Sequence, residues 1–321
     1  MIRLLPGFWK LYKKNDNAQK IITGKGKEFQ APLPLFRPKK EKIHIQVGLD
    51  FGTSSTKIVY TQPGKRFSRI IDFKHNLPNY PTFCLPSVAN INKQGKLVLG
   101  VDAAEQLFED KWDAGFQRLK VLVAGNNDHC YEDQLTEEAF YQSTRKHRLD
   151  ASFTPERLMA IFLAHSMYLA WRAISNETEY GHAELDIAFN ICMPIDHIEN
   201  NRVKTEFEKI FRWAEPIYRM WKIKEETFDP LQASYEFENH SIPDRDVRVF
   251  AVPEAVAEVA AYLVSLKKKE GLHAVIDLGA GTTDLSIFHL QIPVSGAISY
   301  WYAARNLPRG TIVDGHGIMY Q

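Results

Sequence analysis

The sequence predicts an α/β fold, because stretches patterned like buried strands alternate along the chain with stretches of helical periodicity. Two strand–turn–strand segments, starting near Ile43 and His273, share the same order of residue types. A helical segment starting at Glu254 leads directly into the second of them. These observations together predict two related lobes, each opened by a hairpin.

The composition is that of a soluble globular protein, with 45% hydrophobic and 25% charged residues in 321. This length suffices for two domains, and the net charge of +1 gives no reason to expect nucleic acid as a partner. The three cysteines, Cys84, Cys130 and Cys192, show no disulfide pattern. No secretory signal and no apolar run long enough to cross a bilayer is visible, so we expect a cytoplasmic protein.

Charge is concentrated in residues 1–42, which hold eleven Lys or Arg and three Asp or Glu. Their net charge of +8 leaves −7 for the rest of the chain. The segment has no sustained periodicity, so we predict a flexible, basic N-terminal arm. Its mixture of aromatic and lysine residues leaves open a contact with an anionic membrane or an acidic partner.

Several elements are predicted between the arm and the second hairpin. Thr154 supplies a capping hydroxyl for a helix that begins at Pro155. A second helix begins near Glu254, and Lys267–Lys269 are expected at its C-terminal end, where the helix dipole favours cations. Apart from the hairpins, the predicted strands are Leu97–Leu99, Leu185–Ile191 and Val247–Val252.

A polar stretch near residues 126–150 resembles an insertion and is predicted to be a solvated excursion from the surface. It contains His129 beside Cys130, but no second pair follows at the spacing of metal ligands. We therefore expect no metal site in this stretch.

The two hairpins superimpose in sequence when Asp50 is laid on Asp277, 227 residues further on. Each then reads as an apolar strand, an aspartate, an apolar residue, a glycine, a small polar turn and a second apolar strand. A single hairpin of this kind is explained by a glycine turn alone. Two matching copies indicate a duplicated lobe, with one hairpin from each copy facing a shared cleft.

The residue types in both turns suit phosphate binding. Glycine lets a ligand approach the backbone closely, and successive N–H groups in such a turn bind anions. Hydroxyl groups add donors, contributed by Thr53, Ser54, Ser55, Thr282 and Thr283. The aspartates fit this chemistry if Mg²⁺ lies between them and the phosphates, held through water rather than directly.

At these residues the chain resembles the superfamily of actin, sugar kinases and heat-shock chaperones. "VGLDFGTSSTKIVY" is as similar to a sugar kinase as to a chaperone, whereas "VIDLGAGTTDLSIF" and the preceding "VPEAVAEVAAY" resemble DnaK-type chaperones. "LPSVANINKQGKLVLGVDAAEQ" and "FNICMPIDHIENNRVKTEFEKIF" are similar to the segments between these motifs. The resemblance spans about Ile43 to Asp314 and implies ribonuclease H-like lobes with mixed sheets flanked by helices. It further implies that residues 43–252 are the first lobe and that residues 253–321 are the connecting helix and the start of the second.

The resemblance also implies roles for individual residues. Asp50 and Asp277 would organise the magnesium shell and the attacking water, and Glu254 would contact a magnesium-bound water. Lys120 is the candidate for the catalytic lysine, with an ordinary surface lysine as the alternative. Asp284 would support the second hairpin. The expected phosphate-binding residues are Gly52, Thr53, Ser54, Gly279, Ala280, Gly281 and Thr282.

The chain also departs from the family. Ala280 replaces the usual middle glycine of the second turn, and only 37 residues follow Asp284, without a glycine-rich adenosine-binding segment. The peptide-binding domain and the lid of the chaperones have no counterpart. The second lobe is therefore expected to be truncated, completed by another chain, or degenerate.

The leading functional hypothesis is a chaperone-like ATPase that uses ATP and Mg²⁺ as a conformational switch on a protein partner, with slow hydrolysis. A filament-forming, actin-like ATPase is the first alternative, and nucleotide-dependent sedimentation distinguishes it. A small-molecule kinase is suggested by "GTSST", although no motif for its catalytic aspartate is visible. The last alternative is a scaffold that does not hydrolyse ATP.

Overall fold

The computed structural model divides the chain into two compact units. The smaller unit comprises Met1–Lys42 with His182–Glu184, and the larger comprises Ile43–Gly181 with Leu185–Gln321. The structure describes residues 12–15, 18–22, 28–30, 41–65, 67–78, 80–109, 115–124, 131–150, 152–193, 201–237, 248–280, 283–293 and 298–307.

The smaller unit contains an antiparallel sheet in the order β1–β2–β3. Its strands are β1 (Tyr12–Asn15), β2 (Ala18–Ile22) and β3 (Glu28–Gln30). The sequence did not predict these strands within the basic arm. Runs of three to five residues are too short to display an alternation of polar and apolar positions.

The larger unit is built on a mixed sheet with the strand order β11–β10–β4–β5–β6. β4 pairs antiparallel with β5 and β5 with β6, whereas β10 and β11 are parallel. The strands are β4 (Lys42–Phe51), β5 (Ser55–Thr61), β6 (Arg69–Ile70), β10 (Glu184–Met193) and β11 (Val249–Pro253). β7 (Leu85–Pro86) pairs with β5, and β8 (Ala89–Ile91) pairs with β9 (Leu97–Leu99).

Helices flank this sheet, so the predicted α/β class with a mixed sheet is confirmed. Phe51 at the end of β4 packs against Phe162 of α4, with ring centroids 5.6 Å apart. Thr154 caps α4 as predicted, because its hydroxyl accepts a hydrogen bond from the N–H of Arg157. The helices are α1 (Gly100–Glu109), α2 (Leu119–Ala124), α3 (Tyr131–Lys146), α4 (Pro155–Ser175), α5 (Asn201–Lys224), α6 (Pro230–Phe237) and α7 (Glu254–Val264).

α4 is the central helix of the core and packs along α5. Among the described helices, α4 alone is long and apolar enough to cross a membrane, and most of it is buried inside the protein. Its position against the sheet accounts for its apolar composition.

The predicted polar excursion near residues 126–150 is largely helical, because α3 occupies most of it. One face of α3 is buried through Phe140, Ser143 and Thr144, and Phe140 stacks on Phe153 with centroids 6.0 Å apart. The prediction of a solvated excursion is therefore wrong for this face of α3, where one aromatic residue and two small hydroxyl residues dock the helix. His129 and Cys130 lie outside the described residues.

A second antiparallel sheet, in the order β12–β13–β14, follows α7. Its strands are β12 (Gly271–Leu278), β13 (Thr283–Gln291) and β14 (Ile298–Leu307). On one face, Phe288 and Leu290 pack with Val259 of α7. The other face exposes large apolar side chains, namely Leu272, Ile276, Leu278, Ile298 and Tyr300.

α7 ends earlier than the sequence predicted. Ser265 is extended and bonds the carbonyl of Tyr262 through both its N–H and its hydroxyl, at 3.0 and 2.9 Å. Lys267–Lys269 therefore follow the helix, and the prediction that they sit at its C-terminal end is wrong. The sequence does not mark Ser265 as the end of the helix, because the apolar periodicity continues to Leu266.

Candidate functional site

The two predicted hairpins have the same strand register. In the first hairpin Asp50 lies opposite Lys57, and in the second Asp277 lies opposite Asp284. A shift of 227 residues carries each pair of the first hairpin onto a pair of the second. The similarity read from the sequence therefore extends to backbone pairing, with an aspartate just before the turn in both copies.

The turn of the first hairpin requires glycine at position 52 for steric reasons. The N–H of Gly52 donates to the carbonyl of Ser55 at 3.2 Å, and a Cβ at position 52 would lie 2.5 Å from that same oxygen. The carbonyl of Ser54 accepts from the N–H of Ser87 at 2.9 Å. The turn is therefore fixed at both ends, which keeps its remaining donors in place.

Those donors have no partners among the residues that the structure describes. Within the described ranges, the N–H groups of Thr53 and Ser54 donate no hydrogen bond, and neither does the hydroxyl of Thr53. Thr53 is nevertheless only 9% exposed. Three donors left free at one glycine turn are available to an anionic ligand, because successive N–H groups in such a turn bind anions.

The second turn is only partly described. Gly279 and Ala280 are half-buried after the end of β12, while Gly281 and Thr282 lie outside the described residues. The two aspartates of this hairpin differ in burial, since Asp277 is exposed and Asp284 is 8% exposed. Two carboxylates directly opposite each other on neighbouring strands repel, which disfavours the hairpin unless a cation is nearby.

Lys120 is buried, which rules out the surface-lysine alternative. It lies on α2 and forms an ion pair with Glu254, the first residue of α7; the side chains are 10% and 11% exposed. Burial alone would lower the pKa of Lys120, but Glu254, Asp50 and Asp284 outweigh it and raise the pKa. Lys120 is therefore a fixed ammonium surrounded by carboxylates.

The structure brings the predicted charged residues within electrostatic range of one another. Lys120 interacts with both Glu254 and Asp50, and burial, opposed by Lys120, raises the pKa of Glu254. The carboxylates of Asp50 and Asp277, one from each hairpin, both contribute to raising the pKa of Glu258. Carboxylates of both hairpins therefore belong to one electrostatically coupled region.

Glu258 and Cys192 belong to this region and were missed by the sequence reasoning. Partial burial and then the carboxylates of Asp277 and Asp284 raise the pKa of Glu258 to about 7. Its spacing of four residues from Glu254 on one helix was a usable signal. Burial, with Asp50 next, raises the pKa of Cys192 to about 12, so it stays a thiol. Cys192 lies near the end of β10, the neighbour of β4 in the sheet.

The carboxylates suit a hydrated cation better than a directly bound one. Asp50 is half-exposed, with Lys57 at 3.6 Å as its ion-pair partner. Among the described residues, no group of three or more His, Cys, Asp or Glu side chains is arranged to hold a metal directly. Magnesium keeps several of its waters in proteins, so the predicted water-mediated contact is compatible with this arrangement.

No protein-family model matches the chain, and no curated protein matches it. The functional assignment therefore depends on the geometry of the residues described above.

Proposed function

We propose that the chain binds ATP with Mg²⁺ between two duplicated, actin-like lobes and acts as a nucleotide-dependent switch on a protein partner. The observation that carries the proposal is the pair of hairpins with identical register, whose aspartates Asp50 and Asp277 act on the same carboxyl group. Two unrelated glycine turns have no reason to share a register and a charged region.

The sheet order supports the fold part of this proposal. Three antiparallel strands at one side, followed by the parallel pair β10 and β11, agree with the ribonuclease H-like lobe that the sequence resemblance implies. β12, β13 and β14 repeat the three-stranded antiparallel start of that order. We assign them to the beginning of the second lobe.

Each part of the site has a task in nucleotide binding. The unpartnered N–H groups of Thr53 and Ser54 bind phosphate oxygens, and Lys120 neutralises charge on the terminal phosphate. Asp50 and Asp277 would hold the magnesium ion through water molecules. When bound, Mg²⁺ supplies charge neutralisation between the phosphate oxygens.

The ion pair of Lys120 with Glu254 gives the switch a physical basis. It joins α2 to α7, and α7 also packs against the second sheet through Val259. A phosphate that competes with Glu254 for Lys120 weakens this link and shifts the population between two arrangements of α7. The exposed apolar face of the second sheet supports the proposal of a protein partner.

Replacing Thr53 with valine tests the proposed phosphate contact. Valine keeps the shape of threonine but removes a hydroxyl that donates no hydrogen bond to any described residue, so we expect no loss of folding stability. A hydrogen bond to a charged group contributes about 1.5–3 kcal/mol, so calorimetry should show MgATP binding weakened by about tenfold or more. ATP hydrolysis, measured as phosphate release, should fall in parallel.

Thr144→Val is the matched control. The buried hydroxyl of Thr144 donates to the carbonyl of Phe140 at 2.8 Å, outside the proposed site. This variant should lose about 1 kcal/mol of stability and keep wild-type affinity for MgATP. Wild-type protein that binds no MgATP, or a Thr53→Val variant that binds it with unchanged affinity, contradicts the proposal.

A further inference from the structure

The two hairpins share a strand register but bury opposite faces. In β4, Leu49 and Phe51 are 0% and 1% exposed. The shift of 227 residues carries these two positions onto Ile276 and Leu278 of β12, which are 64% and 68% exposed. The second hairpin therefore repeats the apolar residues of the buried face of the first, but leaves them in contact with solvent.

This exposed apolar surface continues across all three strands of the second sheet. We call it the open face, and its large side chains share one side of the sheet by strand register, namely Leu272, Ile276, Leu278, Leu285, Ile287, Ile298 and Tyr300. Its described side chains include no Lys, Arg, Asp or Glu. The solvated side of an antiparallel sheet is normally polar, so this composition is typical of a face that another element covers.

A helix covers the corresponding face of the first hairpin. Phe162 of α4 packs on Phe51, with ring centroids 5.6 Å apart, and the buried residues of β4 and α4 form one core cluster. In the second hairpin, α7 lies on the opposite side, where Val259 packs with Phe288 and Leu290. Among the described residues, the open face therefore has no counterpart of α4.

We propose that the open face docks an amphipathic helix of a protein partner, in the position that α4 has on the first hairpin. The side chains from Leu272 to Leu278 extend about 20 Å along β12, which a helix of about 13 residues matches. The contacting stripe of that helix is apolar, because the described part of the open face offers no charged group to pair with. The inference rests on the proposed function for the role of this partner in the switch.

A fluorescein-labelled peptide with the sequence of α4, residues 155–175, and a lysine tail for solubility is the probe. Its fluorescence anisotropy should rise on titration with the wild type, whereas a peptide of the same composition in scrambled order should not bind. Ile276→Thr keeps a branched side chain that suits a strand but removes apolar area, so it should weaken peptide binding about tenfold. Ile223→Thr, at an isoleucine of α5 that is 76% exposed, is the matched control and should leave binding unchanged.

The outcomes decide the docking of a helix. A wild type that does not bind the peptide refutes it, and so does an Ile276→Thr variant that binds as tightly as Ile223→Thr. A wild-type dimer that Ile276→Thr dissociates and the peptide does not, measured by analytical ultracentrifugation, also refutes it, because the open face then contacts a second copy of the chain. Thermal unfolding midpoints close to that of the wild type show that the variants are folded.

Calorimetry with MgATP on the same preparations separates this inference from the proposed function. Binding of the peptide without binding of MgATP keeps the docking surface and refutes the nucleotide-dependent switch. Binding of MgATP without binding of the peptide refutes the docking surface and leaves the nucleotide site.

Discussion

Lys120→Met should destabilise the protein by about 3–5 kcal/mol, the usual cost of removing one partner of a buried ion pair. The substitution leaves the carboxylate of Glu254 buried beside Asp50 and Asp284 without its cation. Urea denaturation of the wild type and the variant measures the difference. Adding Glu254→Gln should restore part of the loss, because the double variant no longer buries an unpaired charge.

The pH dependence of this loss has a definite sign. Burial raises the pKa of Glu254, and Lys120 opposes that rise, so the folded variant holds a proton on Glu254 that the unfolded chain releases. A carboxyl with a raised folded pKa contributes stability that is complete below its unfolded pKa and is lost as pH rises. The deficit of Lys120→Met should therefore be larger at about pH 8 than at about pH 5.5.

Lys57→Met is the matched control. Lys57 also pairs with a carboxylate of the site, Asp50 at 3.6 Å, but both side chains are about half-exposed. Such surface pairs contribute about 0–1 kcal/mol, so this variant should remain close to the wild type. If Lys120→Met and Lys57→Met have equal, small effects, the buried link between α2 and α7 is not as described.

Asp50→Asn and Asp277→Asn should each weaken MgATP binding by about 10–100-fold, the usual effect of losing a group that orients a metal ion from its outer shell. Neither substitution should cause a large loss of folding stability. Asp277→Asn removes a carboxylate directly opposite Asp284, so the variant should be as stable as the wild type or up to about 1 kcal/mol more stable. Asp50→Asn removes a half-exposed ion pair with Lys57 and one of the carboxylates that raise the pKa of Lys120.

Calorimetry and urea denaturation on the same preparations test whether these variants lose MgATP affinity without a comparable loss of folding stability. Asp102→Asn, at an exposed aspartate in the first turn of α1, serves as the control and should leave the affinity unchanged. Unchanged MgATP affinity in both Asp50→Asn and Asp277→Asn would remove the two aspartates from the site. A loss in only one variant would restrict the site to one hairpin.

Local patterns in the sequence were sufficient to predict the hairpins and the main helix. The turn glycines, the capping Thr154 and the continuous apolar run of β10 each act within a few residues, so their physics is readable from the chain. The identical register of the two hairpins follows from the same local pattern, since both turns place their aspartate at the same position. Strand β9 has the predicted bounds, Leu97–Leu99.

Long-range features were not readable in this way. The pairing of Lys120 with Glu254 joins residues 134 positions apart, and the carboxylates that raise the pKa of Glu258 come from four elements, β4, α7, β12 and β13. The docking of α3 depends on Phe140 meeting Phe153, which a polar composition conceals. Tertiary contacts of this kind depend on how distant elements pack. A sequence pattern can indicate candidate residues, but it does not show which of them are in contact.

The most direct test is nuclear magnetic resonance with Mn²⁺ in place of Mg²⁺, because this paramagnetic ion broadens the signals of nearby nuclei. With saturating Mn·ATP, the amide signals of Thr53 and Ser54 and those of Gly279 and Ala280 should broaden together, whereas Mg·ATP should leave them sharp. Broadening confined to one hairpin, or to neither, would contradict the claim that both hairpins contact one metal-bound nucleotide.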